Sequence, residues 1–132
     1  TDKSCALILG GYVNGYSIIK ELYEEGIREI ALFDTERSLA KYSNKVKYHA
    51  IIDKKPDKLL SELKKLNNQY DYIVIFPTDD LQLLNLHMIY DEILNFCYVP
   101  FNRDKLIDQI NKYFQYQQIY TVHLLWYRIV QS

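Results

Sequence analysis

The chain has 132 residues, 48% of them hydrophobic and 25% charged, which leaves room for one core and excludes a disordered tract. A net charge of -1 gives no electrostatic case for nucleic acid or an anionic membrane surface. No apolar run reaches bilayer length, and residues 1–4 show no basic-then-apolar leader pattern, so the expected setting is cytoplasmic and reducing.

The pattern then alternates between strand-like runs and helical stripes. Residues 5–9 form a short apolar run ending at Gly10-Gly11, as expected of a strand buried on both faces. Ile18, Ile19, Leu22 and Tyr23 recur at helical spacing, with Gly26 as the stop. Residues 29–33 read as a second strand with Asp34 at its end, residues 38–44 as a short helix, and residues 46–52 as a third strand of alternating type. Pro56 suits the first turn of a helix that carries Leu59, Leu60, Leu63 and Leu66 on one face. Residues 72–76 form the clearest strand and run into Pro77-Thr78-Asp79-Asp80, where Thr78 is the expected N-cap of a helix reaching about residue 94. A fifth strand over 96–99 and a last helix capped by Asn102 follow. Five strands alternating with helices predict an α/β fold: a three-layer α/β/α domain on a parallel, Rossmann-like five-stranded sheet. Cys5 and Cys97 make no CxxC pair and fall in predicted strands, as small buried thiols do.

In such sheets ligands sit beyond the carboxyl ends of the strands, where the strand order reverses. Three polar turns occupy those ends: residues 10–15, Asp34-Thr35, and residues 77–80. The first opens a helix whose free N–H groups favour an anion. It matches neither common phosphate motif. A dinucleotide fingerprint needs glycine at position 12, which is Tyr12, although Asp34 lies about where a ribose-binding acid belongs. A P-loop needs lysine at position 16, which is Tyr16. These glycines either turn a tight strand–helix corner or approach a ligand; both uses are open. Asp79 and Asp80, expected in the first helical turn, complement the helix dipole without any substrate, and adjacent helical residues diverge too far for a shared metal or proton. His49, His87 and His123 lack metal-ligand spacing.

The segments LILGGYVNGYSIIKELYEEGI, ALFD, AKYSNKVKYHAI and DYIVIFPTDDLQLL, in that order, resemble the pre-ATP-grasp domain of ATP-grasp carboxylate–amine ligases, closest to the D-aspartate ligase-like group. The resemblance rests on Gly10-Gly11, Asn14-Gly15, Tyr42-Ser43 and Pro77-Thr78-Asp79-Asp80, and spans residues 5–117. It implies an amide-forming ligase in which ATP, with Mg²⁺, activates a carboxylate as its acyl phosphate before an amine displaces phosphate. It further implies that Gly10, Gly11, Asn14 and Gly15 form a substrate-side loop, with Thr78 and Asp79 beside the same cleft, for a small-molecule carboxylate or amino acid. Lys112 would correspond to the lysine that reaches ATP phosphates, although Asn111 stands where the family has Asp, and Lys105, Asp108 and Lys112 also read as a plain solvated helix face.

After Gln117 the chain departs from the family pattern, which continues to a Gly-Ile-Pro-x-Pro turn. Here residues 118–132 are an atypical apolar tail, read as a truncated or frameshifted start of the ATP-grasp part or as the end of a domain released for another use. The polypeptide by itself is therefore expected to be catalytically incomplete, with no cofactor of its own. Tyr120, Val122, Leu124, Leu125, Trp126, Tyr127, Ile129 and Val130 are too apolar to leave in water, so a homodimer shielding Leu125 and Trp126 is expected. The alternative function is a free-standing Rossmann-like module that binds a small ligand or nucleotide.

Overall fold

The computed structural model describes residues 3–10, 13–35 and 44–98, with the side chains of Val13, Asn14 and Asp80 excepted. Within them the chain runs β1 (Ser4–Leu9), α1 (Val13–Glu24), β2 (Ile30–Asp34), β3 (Tyr48–Ile51), α2 (Pro56–Asn67), β4 (Tyr72–Pro77), α3 (Asp80–Ile93) and β5 (Cys97–Tyr98). The strands form one five-stranded sheet in the order β3-β2-β1-β4-β5, and every neighbouring pair is parallel. The α/β Rossmann-like expectation is met.

The helices lie on both faces because β1, β2 and β4 are apolar on both. Ala6 and Ile8 of β1, Ile30 and Leu32 of β2 and Phe76 of β4 pack against Ile18, Ile19 and Leu22 of α1. Their pleat neighbours Leu7, Leu9, Phe33, Ile73 and Ile75 turn the other way and pack with Leu59, Leu63 and Leu66 of α2 and Leu86, Ile89 and Ile93 of α3. Right-handed crossovers explain the split. The chain moves one way along the sheet from β1 to β2 and the opposite way from β3 through β4 to β5, so α1 and the α2–α3 pair fall on opposite faces.

Local signals set the ends of the elements. Gly26 adopts φ 93° after α1, and Ile27 N–H bonds back to the Leu22 carbonyl at 3.0 Å, closing the helix as its sequence position foretold. Pro56 opens α2, preceded by a turn in which Asp53 Oδ1 accepts from Lys55 N–H at 2.8 Å. Two strands are shorter than expected. β3 covers only Tyr48–Ile51, at one side of the described sheet, with Tyr48 and Ala50 against the core and His49 and Ile51 exposed. β5 begins one residue late, at Cys97, and is described as far as Tyr98; Val99 lies outside the described residues.

Thr78 is not the cap of α3, and this corrects the sequence reading. Asp79 holds the extended N-cap conformation (φ -149°, ψ 170°), and its Oδ1 accepts from Gln82 N–H at 2.8 Å. Thr78 is engaged elsewhere, with Leu9. The helix expected over residues 38–44 falls almost wholly outside the described residues, its last member Asn44 being in a turn. The helix capped by Asn102, Lys112 and the apolar tail also lie outside them. No helix of the described residues is long and apolar enough to cross a membrane.

Candidate functional site

The order β3-β2-β1-β4-β5 reverses direction between β1 and β4, the place where an open parallel sheet forms a crevice at its carboxyl edge. Leu9 and Pro77 are register partners, so the turns that follow them, beginning at Gly10 and Thr78, emerge side by side. Sequence reasoning placed both turns at strand ends. Their adjacency follows only from the pairing of β1 with β4.

The two turns are in direct contact. Thr78 donates its hydroxyl to the Leu9 carbonyl oxygen, which also accepts from the Thr78 backbone N–H at 3.1 Å. Gly10 N–H bonds across to the Phe33 carbonyl at 2.7 Å, tying the same corner to β2. Gly10 itself has φ 101°, a conformation that L side chains rarely adopt, and a Cβ there would collide with the Thr78 hydroxyl. A Cβ on Gly15, in the first turn of α1, would collide with the Gly10 carbonyl oxygen. The start of α1 is thus pressed against the end of β1, and the two glycines are what let three backbone segments meet.

The expected site residues divide accordingly. Gly10, Gly15, Thr78 and Asp79 are brought together at the switch point. Asn14 has its backbone in the first turn of α1, its side chain lying outside the described set together with Gly11 and Lys112. Asp79 serves two neighbours: Oδ1 caps α3, and Oδ2 lies 3.6 Å from where a Gly10 Cβ would be. Asp34 ends β2 at the same edge, buried, on the α1 side of the sheet by its alternation with Ile30 and Leu32; its carbonyl accepts from Ile52 N–H at 2.8 Å.

One residue of this edge escaped the sequence reading. Gln82, in the first turn of α3, is only 1% exposed, and its amide oxygen Oε1 is buried with no hydrogen-bond partner among the described residues. Leaving such an oxygen unpaired costs on the order of 1–3 kcal/mol. A signal existed: Gln82 shares the stripe of Leu86, Ile89 and Ile93, where a helix of this kind carries apolar residues. One turn further, Asn85 is also buried and donates Nδ2 to the Lys54 carbonyl at 3.3 Å, fixing the stripe against the loop between β3 and α2.

The remaining reactive groups lie away from this edge. Cys5 and Cys97 flank Ile73 in register, near the amino ends of their strands. Burial pushes each thiol up to about 12, Glu29 adding to the effect on Cys5 and Cys5 to that on Cys97, so neither is a nucleophile at neutral pH. Glu29 joins the amino ends of the strands: its carboxylate accepts from Tyr70 Oη at 2.9 Å and Lys47 Nζ at 3.2 Å, with Lys3 Nζ at 3.8 Å. Among the described residues no group of three or more His, Cys, Asp or Glu side chains could hold a metal ion. The carboxyl edge instead gathers the start of α1, the Thr78 hydroxyl, the Asp79 carboxylate and the Gln82 amide oxygen.

Compared with known proteins, the chain matches no family model, and no curated protein matches it.

Proposed function

We propose that this chain is the substrate-side, Rossmann-like domain of an ATP-dependent carboxylate–amine ligase of the ATP-grasp type, forming one wall of the cleft that holds a small carboxylate or amino acid. The observation that carries the reading is the meeting of Gly10, Gly15, Thr78 and Asp79 at the β1/β4 switch point. These are the positions that the family resemblance assigns to the substrate side, and they come from segments far apart in the chain. The glycines let the end of β1, the start of α1 and the turn after β4 meet with no Cβ between them, and the positive dipole end of α1 favours a carboxylate at that corner. ATP and Mg²⁺ would be held by residues other than the described ones, which contain no group of three or more His, Cys, Asp or Glu side chains able to hold a metal ion. In the proposed ligase ATP supplies the phosphoryl group that activates the carboxylate; the described residues orient the carboxylate. The apolar load over residues 119–130 is proposed to close a two-fold dimer, which sedimentation across a wide concentration range tests.

Amide-resolved NMR titration of the full chain tests the reading. Small carboxylates and amino acids are expected to shift the backbone signals of Gly10, Gly15 and Thr78 at millimolar concentration. Shifts at those positions with ATP or a dinucleotide, but with no carboxylate, would replace the ligase reading by that of a nucleotide-binding module. Silence at all three with every probe would overturn both.

A further inference from the structure

We infer that the outward face of α3 is an interaction surface, covered in the assembled protein by residues 119–130 of a second copy of this chain. The inference rests on the two-fold dimer proposed above and deepens it by naming the surface on which the apolar segment seats.

α3 is apolar on two sides. Its inner stripe, Leu86, Ile89 and Ile93, is buried in the core. Leu81, Leu84 and Met88 follow one another at i, i+3 and i+7 and form a second stripe, turned away from that core. Leu81 and Leu84 are half-buried, and Met88 is 68% exposed. Met88 and Leu94, the C-cap of α3, are the two most exposed large hydrophobic side chains of the described residues. α2 packs against the same core and behaves differently: its exposed positions Asp57, Ser61 and Lys64, at a comparable spacing, are all polar. A helix facing the core on one side and water on the other reads as α2 does. One that is apolar on both sides is covered on both.

Charge and area select the occupant. Every charged residue of α3 is acidic: Asp80, Asp91 and Glu92. Pairing α3 with α3 of another copy, antiparallel about a two-fold axis, would therefore set acids against acids. Residues 119–130 offer the complement, eight large apolar side chains and a single formal charge, Arg128. Glu92 is exposed one turn beyond Met88 on the same stripe and is the partner assigned to Arg128. Tyr120, Trp126 and Tyr127 can bury about 150–250 Å² each. Exchanged between two copies, these rings supply on the order of 900–1,500 Å² before the surface covered on α3 is counted, which reaches the roughly 1,200–2,000 Å² of a stable interface. Exchange of an identical segment also closes the assembly at two copies.

The test uses the full chain, sedimentation across a wide concentration range, and the fluorescence of Trp126, its only tryptophan. The parent is expected to be a dimer with Trp126 shielded from acrylamide. Met88→Lys changes an exposed position and spares the core; it is expected to weaken dimerisation at least about tenfold and to open Trp126 to the quencher. Ile51→Lys, at an exposed apolar position on β3, should leave both readouts unchanged. Glu92→Arg and Arg128→Glu are each expected to weaken the dimer, and the two together to recover most of the loss. No recovery in that swap, or a dimer that Met88→Lys leaves intact with Trp126 still shielded, would overturn the inference while the dimer reading stands. A monomeric parent would overturn both. In that case a shielded Trp126 that Met88→Lys exposes would mean that the segment covers α3 of its own molecule, and an open Trp126 that it covers nothing.

Discussion

The Thr78 hydroxyl bonds to the carbonyl oxygen of Leu9, the last residue of β1, so the turn leaving β4 is fastened to the strand beside it and not to the helix it precedes. Thr78 and Gly10 consequently form one unit. Thr78→Ala is expected to lower stability by about 1 kcal/mol, because the Leu9 carbonyl keeps its backbone donor and loses only the hydroxyl. Gly10→Ala is expected to cost more, since it meets both the left-handed φ of 101° and the Thr78 hydroxyl. In the double variant the collision is relieved and the φ strain is not. Urea unfolding of the four proteins should therefore show a loss smaller than the sum of the single losses. Strict additivity would contradict the contact.

Gly26 and Gly15 provide a matched contrast. A Cβ on Gly26 meets nothing within 4 Å, so Gly26→Ala should cost only the strain of φ 93°, about 1 kcal/mol. A Cβ on Gly15 meets backbone, the Gly10 carbonyl oxygen, which cannot swing aside as a side chain can. Gly15→Ala is therefore expected to destabilise more than Gly26→Ala, although Gly15 lies in a helix, where alanine is ordinarily preferred. The denaturation midpoints of the two variants decide the order.

Asp79 is the residue on which the cap of α3 and the proposed ligand role overlap. Removing the cap in Asp79→Ala is expected to cost about 1 kcal/mol. Asp79→Asn keeps a capping oxygen and should recover most of that loss while discarding the charge. Should the binding of small carboxylates and amino acids weaken in Asp79→Asn while the melting temperature holds, the carboxylate acts on the ligand; should both hold, it is only a cap.

The cluster at the amino ends of the strands makes stability depend on pH in two windows. The Tyr70 hydroxyl bond lowers the Glu29 carboxyl below its ordinary 4.5, helped by Lys47 and then Lys3. A group depressed in the folded state binds its proton more readily when unfolded, so its contribution is present above 4.5 and is lost as pH falls through the lower folded value. Tyr70 is raised from 10 to about 12, first by burial and then by the same bond to Glu29. Its contribution is complete below 10 and disappears as pH rises toward 12. Tyr70→Phe should flatten both windows in melting curves taken from pH 2 to 12. The two thiols, raised from 9 to about 12, will keep a residual alkaline slope in the variant. The same shifts predict that Cys5 and Cys97 resist alkylation at pH 8 until denaturant unfolds the chain.

Much of this molecule follows from local chemistry. The apolar runs at β1, β2 and β4 are continuous because parallel strands here are covered on both faces, and Gly26 and Pro56 mark helix ends through backbone constraints that need no partner. The alternation of strands and helices was enough to determine a parallel sheet and the edge on which its polar turns lie. Three relationships lay beyond it. Thr78 reads as an N-cap by residue type, yet the register of β1 with β4 sets the Leu9 carbonyl within reach of its hydroxyl, and Asp79 caps instead. Glu29 and Tyr70 are paired only because their strand ends are drawn together at the amino edge. Gln82 breaks an apolar stripe in the sequence, but only the packing of α3 onto the core it shares with α2 and the sheet removes its amide oxygen from water. Propensity and periodicity act over one or two turns of chain, whereas strand register and burial are properties of segments that meet only in the folded molecule.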